Sequence, residues 1–323
     1  MIKIKKKTVL IVTLVTIVIV LLLIILFLFR RNNESKYPQE PVEFTSLSQS
    51  SLDLDISGLR NIKSKDLLLY STITSDGETT VREIMDKMGI SFLDKDITGI
   101  DPKEWDNGKD IFRYYGVTDT LVFQLRNGIK FEETENELES FFEEYLNVKY
   151  SFDIVDEKTT NSGGLRIYGR RLIGEIALEV GYGDEYSDYL EFNNSGYLIG
   201  GQILLTDFNS EGVSLPTVSE KYLKEMVNSD VYPKETYLNT SILTQSIDLN
   251  YLDDAWGEIE DSANNCEGSE QEVVFIYKNT KQKYLIPIYK ISGDCEVEYK
   301  DVIYNVPSTF YVLAADPKYI VKE

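Results

Sequence analysis

Residues Thr8 to Phe29 read TVLIVTLVTIVIVLLLIILFLF, an uncharged apolar run interrupted only by three threonines. No other feature constrains the chain as strongly. As a helix this run would span about 33 Å, enough to cross the hydrocarbon layer of a bilayer. A cleavable signal peptide has a shorter apolar core and a small-residue exit, whereas Arg30-Arg31-Asn32-Asn33 follows directly here. The sequence therefore predicts a retained N-terminal transmembrane helix, a signal-anchor. Lys3, Lys5, Lys6 and Lys7 precede it and only Arg30 and Arg31 follow. That asymmetry places the N-terminus in the cytoplasm and the bulk of the chain outside a cell membrane that it crosses once. The cytoplasmic tail, residues 1–7, is too short to hold a domain.

Composition removes several chemistries. The chain has no histidine, which excludes the Ser-His-Asp triad, the Cys-His dyad and His-ligated zinc or haem. Ser-x-x-Lys, Gly-x-Ser-x-Gly, Cys-x-x-Cys and Gly-Lys-Ser/Thr motifs are absent too. Acidic residues number 54 against 33 basic ones, a net charge of −21. Because segment 1–31 is purely basic, the remainder is more acidic still. Such a field repels nucleic acid and anionic bilayer surfaces. No nucleic acid partner is expected.

The pattern along the chain predicts an α+β fold. Residues 30–59 are polar and Ser-rich, a stalk. Residues 60–210 and 211–323 read as two lobes, each a helix packed on a curled antiparallel sheet. Three capping boxes open helices: Thr80 with Glu83, Thr134 with Glu137, and Thr217 with Glu220. Apolar residues follow at helical spacing, most clearly Leu138, Phe141, Phe142 and Tyr145. Period-two runs surround them, with a hairpin turn at Asn193-Asn194-Ser195-Gly196. Strands are expected near residues 171–180, 189–192, 197–205, 237–247, 272–278, 284–291 and 309–314.

Cys266 and Cys295 bracket a strand–turn–strand pattern whose turn falls at residues 279–282. Hairpin ends lie close together, so a structural disulfide is expected. Acidic clusters occur at Asp184, Glu185, Asp188 and Glu191, and around Trp256 at Asp253, Asp254, Glu258, Glu260 and Asp261. Oxygen-rich turns hold calcium and paired carboxylates do glycosidase work. Neither cluster has a fixed ligand spacing, and Asp207-x-Asn209-x-Glu211-Gly212 puts Val218 where a calcium loop needs an acid. No residue is therefore assigned to catalysis, a cofactor or a metal. Tyr114, Tyr115, Tyr182, Tyr186 and Tyr189 would serve equally as sheet residues or as a groove lining. Sequons stand at Asn33, Asn193 and Asn239.

The order of anchor, stalk and repeated helix-plus-sheet units resembles the YycH/YycI-type accessory proteins and the broader PepSY-like extracytoplasmic domains. The resemblance is carried by the Asn194-Ser-Gly-Tyr-Leu hairpin leading to a helix at 217–228. Lys283-Tyr-Leu-Ile-Pro-Ile-Tyr-Lys-Ile-Ser-Gly293 and Tyr311-Val-Leu-Ala-Ala-Asp-Pro continue it. It implies a non-enzymatic module that regulates or contacts another envelope or membrane protein, and it carries no catalytic residues. The competing expectations are a surface hydrolase using two carboxylates and a calcium-dependent adhesion or solute-binding module. For the binding reading, sheet edges near Tyr289 and Tyr311 are the expected partner contact.

Overall fold

The computed structural model describes residues 36–44, 54–59, 62–73, 76–93, 97–130, 136–160, 163–181, 187–227, 234–238, 262–299 and 301–322. In chain order they form β1 (Val42–Phe44), β2 (Leu54–Asp55), β3 (Asp66–Ile73), α1 (Gly77–Lys87), β4 (Ile97–Thr98), β5 (Lys103–Asp106), β6 (Asp110–Tyr115) and β7 (Thr120–Lys130). Next come α2 (Glu137–Phe141), continued as a π-helical turn (Phe142–Leu146), β8 (Ser151–Thr159), β9 (Leu165–Ile173), β10 (Ile176–Val180), β11 (Asp188–Phe192), β12 (Tyr197–Leu204) and β13 (Asp207–Pro216). After α3 (Glu220–Val227) follow β14 (Lys234–Leu238), β15 (Asn264–Tyr277), β16 (Tyr284–Leu285), β17 (Pro287–Tyr299), β18 (Val302–Leu313) and β19 (Ile320–Lys322).

The result is sheet-rich, which corrects the α+β expectation. Fourteen strands form one sheet in the order β14-β18-β17-β15-β10-β9-β11-β12-β7-β6-β5-β4, with β2 beside β15 and β8 beside β9. A three-stranded sheet, β13-β3-β16, and the parallel pair β1-β19 complete the strands described. The two halves are thus not separate helix-on-sheet units. They are joined through the parallel pairing of β10 with β15, from Ala177 opposite Val274 to Val180 opposite Tyr277. Local periodicity cannot announce a pairing between residues so far apart in sequence.

The expected transmembrane helix at Thr8–Phe29 and the tail at 1–7 lie outside the described residues. Among the described residues no helix is long and apolar enough to cross a membrane. No described element therefore supplies the expected transmembrane, signal-anchor and single-pass cell-membrane helix, which rests on residues 8–29 of the sequence alone. Parts of the expected stalk belong to the folded body. β1 pairs with β19, β2 pairs with β15, and Val42, Leu54, Ile56 and Leu59 are buried.

Two main cores draw on different stretches of the long sheet. The first joins Val81, Ile84 and Met85 of α1 and Leu138, Phe141, Phe142 and Tyr145 of the α2 region to Trp105, Phe112 and Phe123. Its rings stack: Phe112 on Phe123 at 5.7 Å, and Phe123 on Phe141 at 5.8 Å. The second joins Leu223, Met226 and Val227 of α3 to β15, β17 and β18, and also to Leu54, Ile56 and Leu69 near the chain's start. Leu178, Leu204, Phe275, Tyr277 and Leu285 form a smaller core between them.

Helix starts differ from the capping-box reading. Asp76 caps α1 and its carboxylate accepts the Thr79 hydroxyl at 2.7 Å, so Thr80 and Glu83 lie inside the helix. Gly89, with φ 69°, ends it in the left-handed conformation, as Gly at this position should. Asn136 caps α2, accepting from Glu139 N at 3.2 Å, while Thr134 lies outside the described residues. Thr217 bonds to β3's approach instead of to α3: its hydroxyl accepts Lys65 N at 2.8 Å and its own N–H donates to Lys65 O at 2.7 Å.

Candidate binding cleft and the polar networks beside it

Strand β9 places two consecutive arginines on opposite faces, because strand side chains alternate. Arg171 points inward and is 1% exposed. Its Nη2 donates to Leu204 O at 2.6 Å and to Asp188 Oδ1 at 3.1 Å, and Nη1 donates to Thr206 O at 3.0 Å. The guanidinium lies 4.5 Å from both the Phe142 and the Tyr150 ring centroids, so the π-helical turn supplies one wall of its box. Asp188 is also fully committed, accepting from Ser187 Oγ at 2.6 Å and from Leu204 N at 2.8 Å.

The network continues to Asp119, which accepts Thr206 Oγ1 at 2.8 Å and the Tyr114 hydroxyl at 3.0 Å. Burial raises the Asp119 pKa above the usual carboxylate range, although both hydrogen bonds oppose the shift. The Tyr277 hydroxyl lies 2.9 Å from Thr206 Oγ1, and burial pushes its pKa up to about 12. Tyr114 rests against Gly77, where an added Cβ would lie 2.2 Å from the tyrosine hydroxyl. A side chain there would force the Tyr114 ring, and its hydrogen bond to Asp119, to shift.

Arg170 faces the other way and is tied to three acids. Its Nη2 donates to Asp153 Oδ2 at 2.7 Å and its Nη1 to Glu272 Oε1 at 3.0 Å, with Glu179 Oε1 at 4.0 Å. Lys290 Nζ donates to Glu179 Oε1 at 2.6 Å and lies 3.7 Å from Glu272 Oε1. Tyr311 donates to the second Glu179 oxygen at 3.0 Å. Burial raises the Glu179 pKa, with the Lys290 ammonium pulling against it. Glu179 and Glu272 are both held by the same two cations, Arg170 and Lys290. Glu179 is fully buried, so no substrate reaches it as the chain stands. Glu272 keeps 43% of its side chain exposed, on the wall of a cleft.

That cleft, of about 880 Å³, is lined by residues 65–68 and Tyr70 of β3 and its approach, by 173–176 at the β9–β10 turn, and by 271–273 and Phe275 of β15. Consecutive residues line it on both walls. Alternating side chains permit this only where a strand is met edge-on. The pairing agrees. β3 bonds β13 along one side, but on the other β16 covers only Tyr70 and Ser71. β15 bonds β17 along one side; on the other, β2 takes Cys266 and Glu267 and β10 takes 274–277. Residues 66–69 and 268–273 therefore have an edge with no strand partner among the described residues. Tyr70 and Phe275, with ring centroids 5.8 Å apart, form an apolar floor.

The residues expected to matter fall elsewhere. Cys266 and Cys295 form the expected disulfide, joining neighbouring strands β15 and β17. Tyr289 and Tyr311 are corrected as partner contacts: they are 1% and 0% exposed. Tyr289 donates to Val218 O at 2.8 Å, and β18 is flanked by β14 and β17, so neither ring stands at an edge. Tyr114 and Tyr189 are taken up by Asp119 and by Arg166, whose guanidinium lies 4.9 Å from the Tyr189 ring. Asp207, Asn209 and Glu211 lie along β13, an extended strand that cannot wrap an ion as a loop does. Among the described residues no group of three or more His, Cys, Asp or Glu could hold a metal ion. Asn193 is the described sequon; its Oδ1 accepts from Ser195 N at 2.9 Å and Tyr197 N at 3.0 Å inside the hairpin turn. Tyr182, Tyr186, Asp184, Glu185, Asn33, Asn239 and the acids around Trp256 lie outside the described residues, as does 239–247 of an expected strand.

The cleft is what sequence reasoning missed. Its walls come from segments about two hundred residues apart, and nothing in either segment marks it. No family model and no curated protein matches the chain. Among solved structures it is similar to an uncharacterized protein from Eubacterium rectale ATCC 33656, with a TM-score of 0.43 and 9% sequence identity, covering 78% of this chain and 84% of that chain. These comparisons give no support to the YycH/YycI-type or PepSY-like resemblance, which stands on the quoted residues alone.

Proposed function

We propose that this chain is a non-enzymatic binding module that takes up a segment of another polypeptide in the cleft between β3 and β15. One observation carries this reading: both long walls of the cleft are strand edges. An unpaired edge presents a row of N–H and C=O groups whose natural complement is another backbone. Each ladder hydrogen bond contributes a net of about 1 kcal/mol, and a strand bonded on both sides makes roughly twice as many as one added to an open sheet edge. Another long edge, on β8, is blunted by comparison. It carries Asp153, Asp156, Glu157 and Lys158 and a bulge between Ile154 and Asp156, devices that discourage strand addition.

Random decapeptides displayed on phage and selected on the full chain test this reading. Leu68, 46% exposed on the cleft wall, supplies the control variant Leu68→Asp, which should fold normally. Enriched peptides should bind the parent chain and fail on the variant. No enrichment, or equal binding to both, would overturn the proposal.

A further inference from the structure

Resting on that binding reading, we infer that the cleft takes an extended segment in which apolar residues alternate with lysine or arginine, its backbone paired with β3 and β15 together. The floor and the rim differ in chemistry. Tyr70, Phe275, Ile173 and Val273 present an apolar surface, while Asp66, Glu175 and Glu272 stand around it with Lys65 as the one lining cation. Asp66 is engaged by Lys36, and Glu272 by Arg170 and Lys290. Glu175, exposed at the turn between β9 and β10, has no ion pair among the described residues. The chain's net charge of −21 adds a long-range bias in the same direction.

A strand laid edge-on against β3 and β15 sends its side chains alternately to two sides. On β15 Glu272 alternates with Val273 and Phe275, so one set meets the aromatic floor and the other meets the side of Glu272, and the ligand's pattern has period two. The unpaired interval on β15, residues 268–273, sets the length. Its first end is already approached by β2's continuation, since an added Cβ at Gly58 would lie 3.5 Å from Gly268 O. Space for pairing therefore centres on 271–273 and matches a short strand.

The probe is a capped heptapeptide, Lys-Val-Lys-Val-Lys-Val-Lys, measured against the full chain by fluorescence anisotropy. Two analogues accompany it: one with glutamate at every lysine, and one N-methylated at every valine so that backbone donors are lost. The parent peptide should bind at least about tenfold more tightly than either analogue, and Glu175→Lys should weaken it about tenfold. Amide exchange should slow at 66–68 and 271–273 when the peptide is bound. Equal binding of the lysine and glutamate peptides, or undiminished binding of the N-methylated one, would overturn the inference. If phage-selected peptides still failed on Leu68→Asp in that case, the binding reading would stand without it. Failure of both experiments removes both.

Discussion

Arg170 and Arg171 are neighbours on one strand, identical in chemistry, and their surroundings are opposites. Arg171 sits between two aromatic rings with every anion and carbonyl it touches buried. Arg170 is partly exposed and shares its acids with Lys290 beside the cleft. On the buried side the charges are closed among themselves, so the network fixes how β9, β11 and β12 meet. On the cleft side one carboxylate of the group, Glu272, still faces solvent. A charge network that closes on itself is architecture; one that leaves a member at a surface is also a boundary condition for a ligand.

The largest test of that difference is Arg171→Met. It should lower the unfolding free energy by about 3–5 kcal/mol, because Asp188 would be left buried without its cation. Urea unfolding reads this directly, and a loss under about 1 kcal/mol would show that the closed network does not hold the sheet. Glu179→Gln should cost less, about 1–3 kcal/mol, since Lys290 retains Glu272 nearby while losing its nearest acceptor charge.

A pH series separates the two sides further. Asp119 and Glu179 both have pKa values raised by burial. The folded chain therefore keeps protons that the unfolded chain releases, and stability falls as pH rises from the unfolded carboxylate range near about 4 through the raised values. Asp119→Asn and Glu179→Gln should each flatten that fall, read as the slope of the urea midpoint against pH whatever the variant's absolute stability. An unchanged slope in both would locate the proton linkage elsewhere. The smallest effect belongs to Glu272→Gln: less than about 1 kcal/mol, as for other exposed ion pairs. A larger loss would mean the cleft side is as closed as the other.

Local features were legible from the sequence wherever the physics is local. The Asn193–Gly196 turn forms because Asn193 Oδ1 bonds two following amides and Gly196 takes φ 77°. The turn at 279–282 likewise forms: Asn279 Oδ1 accepts from Lys281 N at 2.9 Å, and Gln282 Oε1 accepts from Lys278 N at 2.9 Å. The cross-strand disulfide follows from that hairpin. What was hidden is pairing at long range. β10 finds β15 and β3 finds β13 through register, not through any motif. Tyr289 and Tyr311 show the limit well. A strand rich in β-branched and aromatic residues reads alike at the edge and at the centre of a sheet, and only β14 beside β18 settles the matter. Thr80 shows it for helices, since the better cap, Asp76, lies one turn earlier.

The pairing of β1 with β19, Val42 opposite Ile320, bears on how the chain acquires its shape during synthesis. The first core draws on residues from 81 to 205 and is complete once that stretch has emerged. The second needs Leu54, Ile56 and Leu69 together with residues as late as Ala315. Strands β1 and β2 must therefore wait for β19 and β15, with Val42, Leu54 and Ile56 uncovered, whereas β3 can pair with β13 once residue 216 has been made. Contacts of such separation fold slowly and leave edges open to mispairing. For this molecule the earliest strands to be synthesised are among the last to be secured.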